Sequence, residues 1–163
     1  AGLLCGIDDE LVNQILPKLS LPGRAQRLIS MQREWLIDVA HNPAAAEVLA
    51  TTLASEASTC MTTAIVGLLD DKDVAGVIGP IAEYIDQWVA MSAESDRAVA
   101  ADALARQISN LSGNACFVAD SAQAAIDFSR RNSSENDRIL VTGSFFTVGP
   151  VLRQLAKKTR SNS

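Results

Sequence analysis

Four short segments of this 163-residue chain carry side chains able to act on an anion or a nucleotide. The first is Asp38-Val39-Ala40-His41-Asn42-Pro43. Pro43 suits the first position of a helix, because the N–H it lacks would have had no partner there, and Asn42 is then the natural cap. Asp38 and His41 fall just ahead of that helix amino terminus. A carboxylate so placed can accept from ribose hydroxyls and an imidazole can donate to a phosphate oxygen. The same positions also suit a plainer use, with Asp38 accepting loop N–H bonds and the chain's only histidine serving as a structural residue.

The second segment, Leu69-Asp70-Asp71-Lys72-Asp73, sets one ammonium among three carboxylates. Asp73 can cap a following helix, while Lys72 either contacts phosphate or neutralises its neighbours in a solvated loop. The third, Thr142-Gly143-Ser144-Phe145-Phe146-Thr147-Val148, joins a glycine that permits close approach to two hydroxyls. Ser144 and Thr147 can cap a helix or bind a small polar substrate. The fourth, Leu21-Pro22-Gly23-Arg24, puts a single guanidinium on a Pro-Gly turn. It is shaped to grip a phosphate or carboxylate, or is an ordinary surface arginine. There is no GxxxxGK[ST] loop, no GxGxxG after a strand and no Ser/His/Asp or Cys/His set, so the chain lacks the parts for phosphoryl transfer on its own.

These segments need a scaffold, and the hydrophobic pattern supplies one. Apolar runs at 35–39, 63–68, 85–91, 115–119 and 139–142 read as buried parallel strands. Between and after them, helical periodicity appears at 43–57, 74–82, 98–111, 122–131 and 147–157. Residues 25–30 can pair antiparallel to the first of these strands through a turn near 31–33. The expected fold is α/β, a Rossmann-like three-layer domain with a mostly parallel sheet of about six strands and one antiparallel edge strand. Residues 1–20 form a separate helical element with Leu11, Val12, Ile15 and Leu16 on one stripe and Asp8 or Asp9 as cap; 21–157 form the domain, and the polar tail 158–163 is expected to fray. In a parallel sheet the strands' carboxyl ends share one edge, where helix amino termini aim free N–H groups at a ligand. Asp38, His41, Asn42, Lys72 and Ser144 all belong to that edge.

Composition narrows the function. A net charge of −5 with scattered basic residues disfavours nucleic acid. Cys5, Cys60 and Cys116 are odd in number and fall in neither a CxxC nor a zinc-ligand spacing, which suits a reduced, cytoplasmic setting. No apolar run is long enough for a bilayer, and no metal site is expected on this chain.

In order, the four segments resemble the folylpolyglutamate synthase/dihydrofolate synthase family, a branch of the Mur ligase superfamily, over about residues 20 to 156. Leu21 to Arg24 resembles its LPGR turn, Asp38 to Pro43 its D-x-A-H-N-P segment, Asp71-Lys72-Asp73 its D-K-D loop and Val141 to Val148 its V-x-G-S-F-x-T-V segment. Ala25, where many relatives have an aromatic, and Leu69-Asp70 ahead of D-K-D depart from the pattern without touching a proposed contact. The resemblance implies a carboxy-terminal domain beside a larger amino-terminal ATPase domain that holds the phosphate loop and most contacts to ATP and Mg2+, with residues 1–20 the connector. It implies ligation of L-glutamate to dihydropteroate or to folate polyglutamates through an acyl phosphate. Carried over by motif, Arg24 would contact ATP phosphates, Asp38 the ribose or a nearby nucleotide group, Asn42 the base, and His41 and Ser144 phosphate or the incoming glutamate. Lys72 is a possible phosphate contact, and the domain alone has no catalytic residue and no activity. Two other readings are a Mur-type ligase for another amino acid, against which the G-S-F-x-T-V segment argues, and a non-catalytic nucleotide-sensing or interaction module of the same fold.

Overall fold

Strand residues alternate between two apolar faces, and that alternation builds three layers. The computed structural model describes residues 4–5, 8–18, 25–56 and 60–161. Strands β1 (Leu4–Cys5), β2 (Gln26–Ser30), β3 (Arg33–Ile37), β4 (Thr62–Gly67), β5 (Gln87–Met91), β6 (Cys116–Ala119) and β7 (Arg138–Gly143) form one sheet in the order β1-β2-β3-β7-β4-β5-β6. The five from β3 to β7 are mutually parallel, and β2 is antiparallel to β3 as expected. The two-residue β1 adds a strand beyond the anticipated edge, parallel to β2.

Leu36, Leu140, Ala64, Val66 and Trp88 face one side, packing with Leu49, Val77, Ile78 and Leu104 of helices α2 (Pro43–Ser55), α3 (Val74–Ile81) and α4 (Ala101–Ser112). Trp35, Ile37, Ile139, Val141, Ile65 and Val89 face the other, against α1 (Asp9–Lys18), α5 (Ala122–Arg131) and α6 (Phe145–Ser161). This period of two, with both faces covered, is why the strands read as near-continuous apolar runs.

Four expectations are corrected by packing. The element at 1–20 does not stand apart: Val12 and Ile15 are each 2% exposed in the core shared with α6. Burying two such side chains is worth roughly 3 kcal/mol or more, enough to dock the helix. Asp8 caps it, accepting from Leu11 N–H at 2.7 Å. The third parallel strand begins at Gln87, because 82–84 are drawn into a 3-10 turn that continues α3. Helix α4 begins at Ala101 and not at Ala98, because Ala98 bridges Leu69 and Val99 N–H donates to Leu68 O at 2.9 Å. Helix α6 starts two residues early and runs through most of the tail expected to fray, held by Lys158 Nζ, 2.7 Å from Asp127 Oδ1.

The β2–β3 hairpin turns at Met31 (φ 51) and Gln32 (φ 58), two left-handed residues without a glycine. Neither Cys60 nor Cys116 is disulfide-bonded, and burial pushes the Cys116 thiol up to about 11. Among the described residues no helix is long and apolar enough to cross a membrane.

Candidate functional site

The strand order decides where a ligand can sit. The chain leaves β3 and β4 into α2 and α3 on one face, but leaves β7, which lies between those two strands, into α6 on the other face. Connections that diverge from neighbouring strands open a crevice beyond their carboxyl ends. That crevice is a cleft of about 200 Å3 lined by His41, Leu69, Lys72, Ser144, Phe145 and Phe146. The loops after β3, β4 and β7 each contribute to it.

His41 has its Nδ1 2.8 Å from Val39 O. A carbonyl only accepts, so Nδ1 carries the hydrogen and Nε2 is left for a ligand, accepting from a donor when the ring is neutral and donating to an anion only as the imidazolium. Lys72 Nζ lies 3.3 Å from Asp71 Oδ2, an oxygen that also takes Arg97 Nη2 at 2.9 Å. Exposed ion pairs of this kind contribute little, so an entering anion can compete for the ammonium. Ser144, only 6% exposed, caps α6: its Oγ accepts from Phe146 N–H at 3.1 Å, and its carbonyl accepts from Thr147 and Val148. The positive end of a 17-residue helix therefore faces the cleft beside a lysine and a histidine, an arrangement suited to a carboxylate or phosphate.

The backbone that carries Ser144 leaves no freedom in residue choice. Gly143 has φ 112, and a Cβ there would strike the carbonyl of Gly67, its register partner on β4. Only glycine meets both the conformation and the space.

Asp38, Asn42 and Asp73 do not line the cleft. Asp38 lies one residue past β3, its N–H donating to Val141 O at 3.0 Å. Burial raises its carboxyl from 3.8 to about 6, against a lowering hydrogen bond from Ala40 N–H and the nearby His41. Asn42 is exposed and caps α2, accepting from Ala45 N–H at 2.9 Å, which leaves its amide donors for another group. Asp73 caps α3 through Gly76 N–H at 2.9 Å. Arg24 and its turn lie outside the described residues.

Sequence reasoning overlooked Phe145 and Phe146, which are 38% and 49% exposed and wall the cleft with Leu69. The available signal was two adjacent aromatics at a helix start in a chain with only four Phe. Among the described residues no group of three or more His, Cys, Asp or Glu side chains could hold a metal ion.

A family model described as "Mur ligase, glutamate ligase domain" matches residues 23–145. The dihydrofolate synthase/folylpolyglutamate synthase of Escherichia coli K12 is 31% identical over 146 residues, covering 90% of this chain and 33% of that protein. Among solved structures, E. coli FolC in complex with DHPP and ADP superposes with a TM-score of 0.73 at 33% identity, over 85% of this chain and 32% of that one. A bifunctional folylpolyglutamate synthase/dihydrofolate synthase with Mn, AMPPNP and L-glutamate bound gives 0.71 at 33% identity, over 83% and 32%. The chain thus spans about a third of the length of these relatives.

Proposed function

Because the chain belongs to the Mur ligase glutamate ligase domain family, we propose that it is the carboxy-terminal domain of a cytoplasmic ATP-dependent ligase that adds L-glutamate to dihydropteroate, to folate polyglutamates, or to both. The observation that carries this reading is the cleft where His41, Lys72 and Ser144 meet at the amino end of α6, in a chain similar to an enzyme crystallised with a nucleotide and L-glutamate.

The work divides between two domains. The larger one, which accounts for the rest of the relatives' length, carries the phosphate loop and the magnesium ligands. ATP there phosphorylates the carboxylate of dihydropteroate or of the terminal folate glutamate, and the resulting acyl phosphate offers a good leaving group. The amine of L-glutamate then attacks the acyl carbon and displaces phosphate. On this chain Arg24 contacts the ATP phosphates, Asp38 the ribose and Asn42 the base. His41 and Ser144, with Lys72 as the cation between them, receive the carboxylate-bearing glutamate. Magnesium, held by the other domain, would supply charge neutralisation at the transferred phosphoryl. Alone, the chain completes neither half of the site and is inactive.

Arg24→Ala and Asp38→Asn in the full-length enzyme test the nucleotide half. Each is expected to cut ligation at least tenfold, about 1.4 kcal/mol of transition-state stabilisation. Turnover like the parent's in both variants would remove these two residues from the site.

A further inference from the structure

The cleft is only as good as the spacing between the loop that bears Lys72 and the helix that begins at Ser144. One buried hydrogen bond spans the two elements beyond the β4–β7 ladder. Thr147 Oγ1 donates to Gly67 O at 3.0 Å, joining the first turn of α6 to the last residue of β4 across 80 positions of sequence. Thr147 is fully buried. Its side chain also fills the place a Cβ on Gly67 would need, a place crowded further by Met91 O at 2.9 Å. Gly67 in turn pairs in register with Gly143, so strand ends, glycine pair and helix start form one tight unit. The carbonyl of Ser144 accepts from Thr147 N–H at 2.9 Å, and Phe146 O accepts from Glu94 N–H at 2.8 Å, which ties the same turn to the loop after β5.

Resting on the reading of this cleft as the glutamate site, we propose that Thr147 is a positioning residue: its hydroxyl, through Gly67, fixes the Ser144 helix start against the Lys72 loop at the separation the amino-acid substrate requires. A threonine with only a capping role would bond within its own helix. This one spends its hydroxyl on the neighbouring strand, whose next residues carry Leu69 and Lys72 to the cleft wall. Two loops that share a ligand but no covalent link lose affinity steeply when their separation drifts by an ångström, because preorganisation is lost.

Thr147→Val keeps the shape and removes the donor, whereas Thr147→Ser keeps the donor. Ser129→Ala is the matched control. It deletes another buried hydroxyl, bonded to Ala125 O at 2.8 Å within α5 and outside the cleft. In the full-length enzyme, Thr147→Val is expected to raise the KM for L-glutamate at least tenfold with the KM for ATP within twofold. Thr147→Ser should stay within about threefold of the parent, and Ser129→Ala should lower the melting temperature without moving either KM. Equal KM effects from Thr147→Val and Ser129→Ala, or an unchanged KM for L-glutamate in Thr147→Val, would overturn the proposal. Lys72→Met in the same assay separates the two ideas: an unchanged glutamate KM there defeats the glutamate-site reading and the proposal with it, whereas a raised KM there beside an unmoved Thr147→Val defeats the proposal alone.

Discussion

The two ends of the sheet use the same residue types for opposite purposes. At the amino end the carboxylates of Asp86, Asp137, Glu34 and Glu56 are spent on structure. Asp137 accepts from Met61 N–H at 3.0 Å and Ser134 N–H at 2.7 Å, and Asp86 accepts from Thr62 N–H at 2.7 Å. Arg27 and Arg138 share Glu34 and Glu56 in a four-residue ionic network, with Arg27 in direct contact with both acids. At the carboxyl end Asp38 has lost much of its hydration and has no ion pair among the described residues, and Lys72 pairs with the exposed Asp71. Buried side-chain atoms without a hydrogen-bond partner among the described residues occur at both ends, Thr142 Oγ1 at this one and Ser30 Oγ and Arg138 Nε at the other, so they do not distinguish the two. Two adjacent phenylalanines also stand exposed at the carboxyl end. One end is electrostatically closed, while the other keeps polar capacity in reserve, as a binding edge must.

Aspartate acidity expresses the contrast most directly. Asp137 and Asp38 both feel burial as their largest influence, which raises the carboxyl. At Asp137 the hydrogen bonds from Ser134 and Met61 together outweigh it, and the carboxyl is held below the ordinary value. At Asp38 a hydrogen bond from Ala40 and the nearby imidazole do not, and it rises to about 6. The two therefore bias stability in opposite directions. Asp137 contributes stability present above its unfolded value of 3.8 and lost as pH falls through its lowered folded value. For Asp38, between pH 3.8 and about 6 the folded state keeps a proton that the unfolded state has given up. Its contribution is accordingly full below 3.8 and lost as pH rises through about 6.

Substitutions at the two ends should therefore diverge. The largest loss is expected at the closed end, where Arg138→Met strands Glu34 and Glu56 with half their cationic partners. Because Arg138 is 10% exposed and the two acids 30%, urea unfolding should show a loss of about 2 to 3 kcal/mol. An effect under about 0.5 kcal/mol would reduce the network to a solvated surface feature. A smaller effect of opposite sign is expected at the open end. Asp38→Asn removes a charge held in a poorly hydrated place and should stabilise the chain at pH 7 by about 1 to 2 kcal/mol, the full shift discounted for partial exposure. The gain should shrink as pH falls from 7 to 4, and a gain that grew on acidification would contradict the burial account. Paired with the expected loss of ligation, this makes Asp38 a residue kept at the expense of stability.

Local features of the fold were legible in the sequence, and those that depend on distant partners were not. The five parallel strands, the Asn42 and Asp73 caps and the antiparallel hairpin follow from period, proline placement and cap chemistry within a few residues. The boundaries that moved did so through tertiary contacts: the bridge from Ala98 to Leu69 shortened one helix, and the Lys158–Asp127 pair lengthened another. In the site, motif order pointed to His41, Lys72 and Ser144, yet no local signal says that Thr147 will bond a strand 80 residues away, and the adjacent aromatics Phe145 and Phe146 were the one local hint of the cleft wall. Pattern reading assigns a hydroxyl near a helix start to capping, and here the serine takes the cap, which frees the threonine for the strand.

The most direct test of the account is the KM for L-glutamate of the full-length enzyme with Lys72→Met. The open cleft predicts at least a tenfold increase, about 1.4 kcal/mol, with the KM for ATP within twofold and the melting temperature unchanged. A glutamate KM equal to the parent's would show that the cleft of His41, Lys72 and Ser144 is not where the amino acid binds.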